Sequence, residues 1–141
     1  MIQGTIKGTQ LGIKYMGKGN YGSSRLSSHR GGVVLNISSV QGLASWPAMP
    51  VYSAGKAGII QYTRCLGHEL EFSNHGVKIV CLCPNGVDSG MMGFHPYVGM
   101  TQTGSDFIKS LNIQERILTP KDVADAGIRV IFKAPIQMDF I

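Results

Sequence analysis

No apolar run in this chain approaches the roughly 20 residues that a membrane-spanning helix needs. The start lacks the basic head and apolar core of a secretory signal, because Lys7 and Lys14 interrupt it, so a cytoplasmic home is the default expectation. The 3 cysteines, Cys65, Cys81 and Cys83, contain no CxxC pair, which argues against both a zinc site and a disulfide framework. Cys81 and Cys83 are two apart in an apolar run and would share one face of a strand, where buried reduced thiols are the expectation. Consecutive basic residues are also missing, although the formal net charge is +5. A loose basic cluster between Lys14 and Arg30 sits in Gly/Ser-rich sequence and is not gathered on one regular element, so a solvated loop is expected rather than a nucleic-acid surface. The sequon Asn36-Ile37-Ser38 lies in an apolar run and is a poor glycosylation site.

What is present suits a single folded domain: 141 residues, 43% apolar and 15% charged. Ile2, Ile6, Thr9, Ile13 and Met16 recur at steps of four and three, which predicts a helix over residues 2–16. Gly4, Gly8 and Gly12 would form a second, smooth stripe suited to close packing on a partner element. Residues 17–32 are turn-rich and polar. "VVLNISS" (33–39) and "VKIVCLC" (77–83) read as buried strands, with a helical pattern from about Val51 to Ser73 between them. Residues 85–118 are irregular, and 119–132 read as a helix capped by Thr119, Pro120 and Asp122. Strand, helix, strand, helix is the rhythm of a parallel α/β sheet.

Tyr52 and Lys56 lie one helical turn apart, so they share a face. A phenol with a pKa of about 10 is a poor proton carrier near neutrality. An adjacent ammonium favours the phenolate, which makes the pair a proton-transfer device. The spacing alone is common. Ser38 and Ser39, however, end a strand thirteen residues before Tyr52, and parallel sheets bind ligands beyond the carboxyl ends of their strands. A carbonyl or alcohol oxygen there could accept a hydrogen bond from Ser39 while exchanging its proton with Tyr52.

"NISSVQGL", "PVYSAGKAGI" and "VCLCPNGVDS" together resemble the single-domain short-chain dehydrogenases/reductases, and the resemblance spans residues 1–134. "GTQLGIKYM" and "PVYSAGKAGIIQYTR" are most similar to the 15-hydroxyprostaglandin dehydrogenase and insect alcohol-dehydrogenase-like branches. The resemblance implies a Rossmann-like doubly wound parallel sheet and NAD-dependent interconversion of a secondary alcohol and a ketone, with NADP not excluded. It implies that Ser39 orients the substrate, Tyr52 is the acid/base, and Lys56 also holds the nicotinamide ribose. Pro84, Val87 and Ser89 would line the nicotinamide side, with Ser89 where Thr is usual and Asn85 in place of a glycine. Residues 90–112 fall where the family carries a mobile substrate loop. Met49 stands where the prostaglandin enzymes have a polar substrate-side residue, which leaves the alcohol open.

The family's Gly-x3-Gly-x-Gly turn, which seats the pyrophosphate on a helix N-terminus, does not occur in these residues. An active-site Asn of the family aligns with Met1, and the strand expected after the last helix is not found. Residues 1–141 are therefore expected to be the catalytic part of one Rossmann-like domain, inactive alone, whose full-length form pairs as a dimer or tetramer through its long helices. The alternative is a non-catalytic truncated protein that associates with a full-length relative through those helices.

Overall fold

In the computed structural model, residues 1–18, 31–90, 106, 110 and 117–133 are described. Helix α1 (Ile2–Met16) leads to strand β1 (Gly32–Ile37) and a short 3-10 turn at Val40–Gly42. Helices α2 (Pro50–Leu66) and α3 (Glu69–His75) follow, then strand β2 (Val77–Leu82) and helix α4 (Pro120–Lys133). The strands pair in parallel from Gly32 opposite Val77 to Ile37 opposite Leu82. Parallel pairing needs a crossover, and α2 with α3 supplies it.

The period-two pattern of the strands sorts their faces. Val77 and Ile79 of β2 pack with Ile13 of α1, joined by Met16, Val34 and Leu66. Further along the same face, Ile59 and Ile60 of α2 pack on Cys81 and Cys83. On the other face, Gly127 of α4 rests against Leu35 of β1. Ile59, Ile79 and Val77 are fully buried, each contributing about 1.5–3 kcal/mol by leaving water. Helices thus cover both faces of the sheet, as an apolar β2 requires.

The single helix expected from Val51 to Ser73 is two. Gly67 closes α2, its N–H donating to Thr63 O at 2.8 Å. His68 then turns extended and accepts from Leu70 N–H through Nδ1 at 3.3 Å, capping α3. Glu69 and Glu71 suit the positive start of that new helix. Gly76 ends α3 with a left-handed φ of 68°, a conformation glycine adopts without a Cβ penalty.

The glycine stripe of α1 behaves differently from its expectation. An added Cβ at Gly12 would lie 2.6 Å from the Val34 side chain, whereas Gly4 and Gly8 face open space. One glycine is therefore used for close packing, and against a side chain rather than a backbone.

Asn36 is buried, and both ends of its amide are hydrogen-bonded. Its Oδ1 accepts from Thr9 of α1 at 3.2 Å, and its Nδ2 donates to Thr63 of α2 at 2.9 Å. Thr63 in turn donates to Ile59 O at 2.8 Å. This chain of bonds ties β1 to both helices above it and leaves no room for a glycan at the sequon.

Candidate active site

β1 ends at Ile37, so Ser38 and Ser39 lie just beyond its carboxyl end. Both are buried. Ser38 N–H still donates to Leu82 O at 2.7 Å, which carries the strand pairing one step further. Ser39 caps the 3-10 turn, its Oγ accepting from Gln41 N–H at 3.2 Å. Val40 N–H donates to Pro84 O at 3.1 Å, so the segments after β1 and β2 are joined at the rim.

Helix α2 begins at Pro50, whose fixed φ suits a first helical position, with half-buried Met49 before it. Its first turns carry Tyr52 and Lys56. Two bonds lock Lys56 to the end of β1: Ser38 Oγ donates to Lys56 O at 2.8 Å, and Lys56 Nζ donates to Ile37 O at 3.2 Å. The same ammonium lies 5.6 Å from the centroid of the Tyr52 ring, within cation–π range. Gly42 permits this approach. A Cβ there would stand 2.7 Å from the carbonyl carbon of Lys56 and 2.9 Å from Ala57 N.

Burial pulls the Lys56 pKa below the ordinary ammonium value, and the nearby Cys81 and Cys83 thiols pull against it. Cys83 is brought down to about 7, first because the Cys81 thiol hydrogen-bonds to it. Burial opposes that shift, while the Ser39 backbone, the Lys56 charge and the Ser38 hydroxyl assist it. Cys81 is pushed up by its hydrogen bond to Cys83 and by its own burial, so it holds its proton. Both cysteines are free thiols, as expected, although Cys83 is only half-buried.

Ser39, Tyr52 and Lys56 are thus carried by the two elements that Ser38 and Lys56 tie together. Pro84 belongs to the same rim. Val87 lies further on, where Asp88 N–H donates to Leu118 O and Leu118 N–H to Gly86 O, each at 2.8 Å. Ser89 is exposed. Asn85, expected where the family has a glycine, adopts no positive φ and so carries no left-handed strain. The substrate loop expected at 90–112 falls outside the described residues except for 90, 106 and 110.

Sequence reasoning missed Gly42 and the bonds of Ser38 and Lys56. The one available signal was Gly42 three residues after Ser39 in "SSVQGL". Nor did the sequence bring Cys83 to this rim. Among the described residues no cluster of three metal-ligating side chains occurs, and no helix is long and apolar enough to cross a membrane.

Parallel strands flanked by helices, with polar groups gathered beyond their carboxyl ends, define a Rossmann-like α/β protein. A family model described as short chain dehydrogenase matches residues 1–96, and the chain belongs to that family. Human 15-hydroxyprostaglandin dehydrogenase [NAD(+)] is 33% identical over 129 residues, covering 89% of this chain and 46% of the human protein. Fat body protein 2 of Drosophila melanogaster is 35% identical over 91 residues, covering 64% of this chain and 33% of the fly protein. Both likenesses agree with the branches expected from the sequence. A short-chain dehydrogenase/reductase family oxidoreductase from Burkholderia thailandensis shares the fold, with a TM-score of 0.51 at 24% identity. It is matched over 75% of this chain and 39% of its own. The chain spans less than half the length of these relatives.

Proposed function

We propose that this chain carries the proton-handling part of an NAD(P)-dependent oxidoreductase that interconverts a secondary alcohol and a ketone. The observation that carries the reading is the double tie of Lys56 to the end of β1, with its ammonium against Tyr52. In this reading Ser39 gives its hydroxyl hydrogen to the substrate oxygen, and Tyr52 takes or returns the proton on that oxygen. Lys56 sets the charge beside the phenol, and Ile37 O and Ser38 keep the lysine in place. The donor set at this rim fits the nicotinamide-ribose end of the cofactor, through Lys56 and Tyr52, with Pro84, Val87 and Ser89 toward the nicotinamide. A bound nicotinamide supplies the carbon that takes up or gives back hydride. NAD is the preferred form, because the human relative's name carries NAD(+).

These 141 residues contain no Gly-x3-Gly-x-Gly turn for a pyrophosphate. We therefore expect the isolated chain to bind NADH weakly or not at all and to turn over no alcohol. Tight binding in a fluorescence titration of the purified chain overturns that expectation. In a fusion that places the family's nucleotide-binding half before Met1, Tyr52→Phe should abolish turnover and leave cofactor binding intact. A Phe variant with near-normal turnover removes the acid/base role from Tyr52.

A second reading is favoured by exposed Leu11, Tyr15 and Val51 on α1 and α2. The chain would then act without catalysis, by associating with a full-length relative through those helices. Co-purification with such a relative, in the absence of any turnover by the chain itself, distinguishes it.

A further inference from the structure

Cys81 and Cys83 pack against Ile59 and Ile60 of α2, and the proton transfer leaves their thiols unused. Their sulfurs lie 3.9 Å apart, Cys81 on the face of β2 that meets α2 and Cys83 just past the strand's end on the same side. The two differ in access: Cys81 is 8% exposed, whereas Cys83 is half-buried at the rim. Around Cys83 stand the Lys56 ammonium, the Ser38 hydroxyl and the Ser39 backbone amide, all of which favour its thiolate. Cys83 stands one residue past the end of β2, so its backbone is not held by the strand ladder. The two sulfurs, already in contact, can close to bonding distance by local adjustment.

We propose that Cys83 and Cys81 form a peroxide-oxidised dithiol, with Cys83 as the thiol that reacts first with peroxide and Cys81 as the one that resolves it. The Cys83 thiolate attacks one oxygen of a hydroperoxide. A sulfur–oxygen bond forms as the oxygen–oxygen bond breaks, and the departing alkoxide or hydroxide takes up a proton. Cys83 is then a sulfenic acid, two electrons poorer. Cys81 sulfur attacks the Cys83 sulfur, the sulfur–oxygen bond breaks, and the Cys81 proton leaves with the hydroxyl as water. Two thiols have been oxidised and one peroxide reduced. A thiol restores the pair by exchange.

The lowered pKa of Cys83, about 7, gives it a large thiolate fraction near neutrality. Cys81, which keeps its proton, is poorly placed to react first. The disulfide also removes the negative charge that faces Lys56, and only that consequence rests on the oxidoreductase reading. The thiol chemistry stands without it.

The test is peptide mapping of the purified chain after brief exposure to hydrogen peroxide. The peptide holding both Cys81 and Cys83 should lose two hydrogens and regain them with dithiothreitol. Before oxidation, Cys83 should be alkylated at neutral pH roughly tenfold faster than exposed Cys65, a gain that disappears in urea. In Cys81→Ser, Cys83 should stop at the sulfenic acid and be captured by dimedone. Oxygen added irreversibly to Cys83 in the unaltered chain, without a disulfide, overturns the proposal. So do disulfides only between chains through Cys65, or a Cys83 that alkylates no faster than Cys65. The mapping and alkylation arms need no variant, so they decide the matter even if Cys81→Ser fails to fold.

Discussion

Asn36 uses both ends of its amide on threonines from different helices, and the group is buried. Asn36→Ala would leave the Thr9 hydroxyl and the Thr63 oxygen short of partners where water cannot replace them. We expect a cost of about 1–3 kcal/mol, read as a lower urea midpoint. An unchanged midpoint would show that the threonines find other partners. Cys83 makes a second prediction at this scale. Folding lowers its pKa, so the folded state prefers the thiolate. The stability this contributes is fully present above the pKa of an unfolded thiol and is lost as pH falls through about 7. Urea midpoints of the wild-type chain should therefore decline across that window more steeply than those of Cys83→Ser. Parallel declines would refute it.

Between elements, Gly42 sets how closely the rim of β1 meets α2. Its missing Cβ would strike backbone atoms of Lys56 and Ala57, and backbone cannot rotate away. Gly42→Ala should cost about 1–3 kcal/mol by overpacking. Gly8→Ala, in open space on α1, should instead stabilise by up to about 1 kcal/mol through helix propensity. Thermal melts of the two variants moving in the same direction would contradict the packing assigned to Gly42. At the start of α4, Thr119 N–H and Oγ1 both donate to Asp122 Oδ2, at 2.8 and 2.7 Å, and Thr119 Oγ1 accepts from Asp122 N–H. These bonds hold the Asp122 carboxyl below its ordinary pKa. A depressed carboxylate helps above the unfolded pKa and stops helping as pH falls through the folded one. Helical circular dichroism should show an acid-side loss that Asp122→Asn lacks.

Across the whole molecule, the order of strands and helices was legible because burial repeats with a period that sequence displays directly. The Tyr52 and Lys56 pair was legible for the same reason, being local to one helix. The tie between Ser38 and Lys56 was not, since it depends on how α2 registers against β1, eighteen residues away. The split at Gly67 was also hidden, because the apolar pattern continues through it and the break comes from His68 turning to cap α3. One further property belongs only to the assembled chain. α1 and α2 lie side by side, with Tyr62 Oη donating to Ile6 O at 3.4 Å and Gly58 beneath Ile2. α1 presents Leu11 and Tyr15 to solvent at 52% and 65% exposure, and α2 presents Val51 at 71%. α4 exposes Ile128 and Phe132 on the side of the sheet away from α1 and α2. A two-helix platform is the better self-complementary surface, since each copy can offer the same patch to the other. Sedimentation velocity should therefore show concentration-dependent pairing that the double substitution Leu11→Glu, Tyr15→Glu abolishes. Ile128→Glu, Phe132→Glu should leave it in place. Exposed sites tolerate such changes within about 0.5 kcal/mol of stability, so lost pairing would report the contact and not the fold. Pairing that survives the α1 change and fails with the α4 change would assign the surface to the opposite face of the sheet.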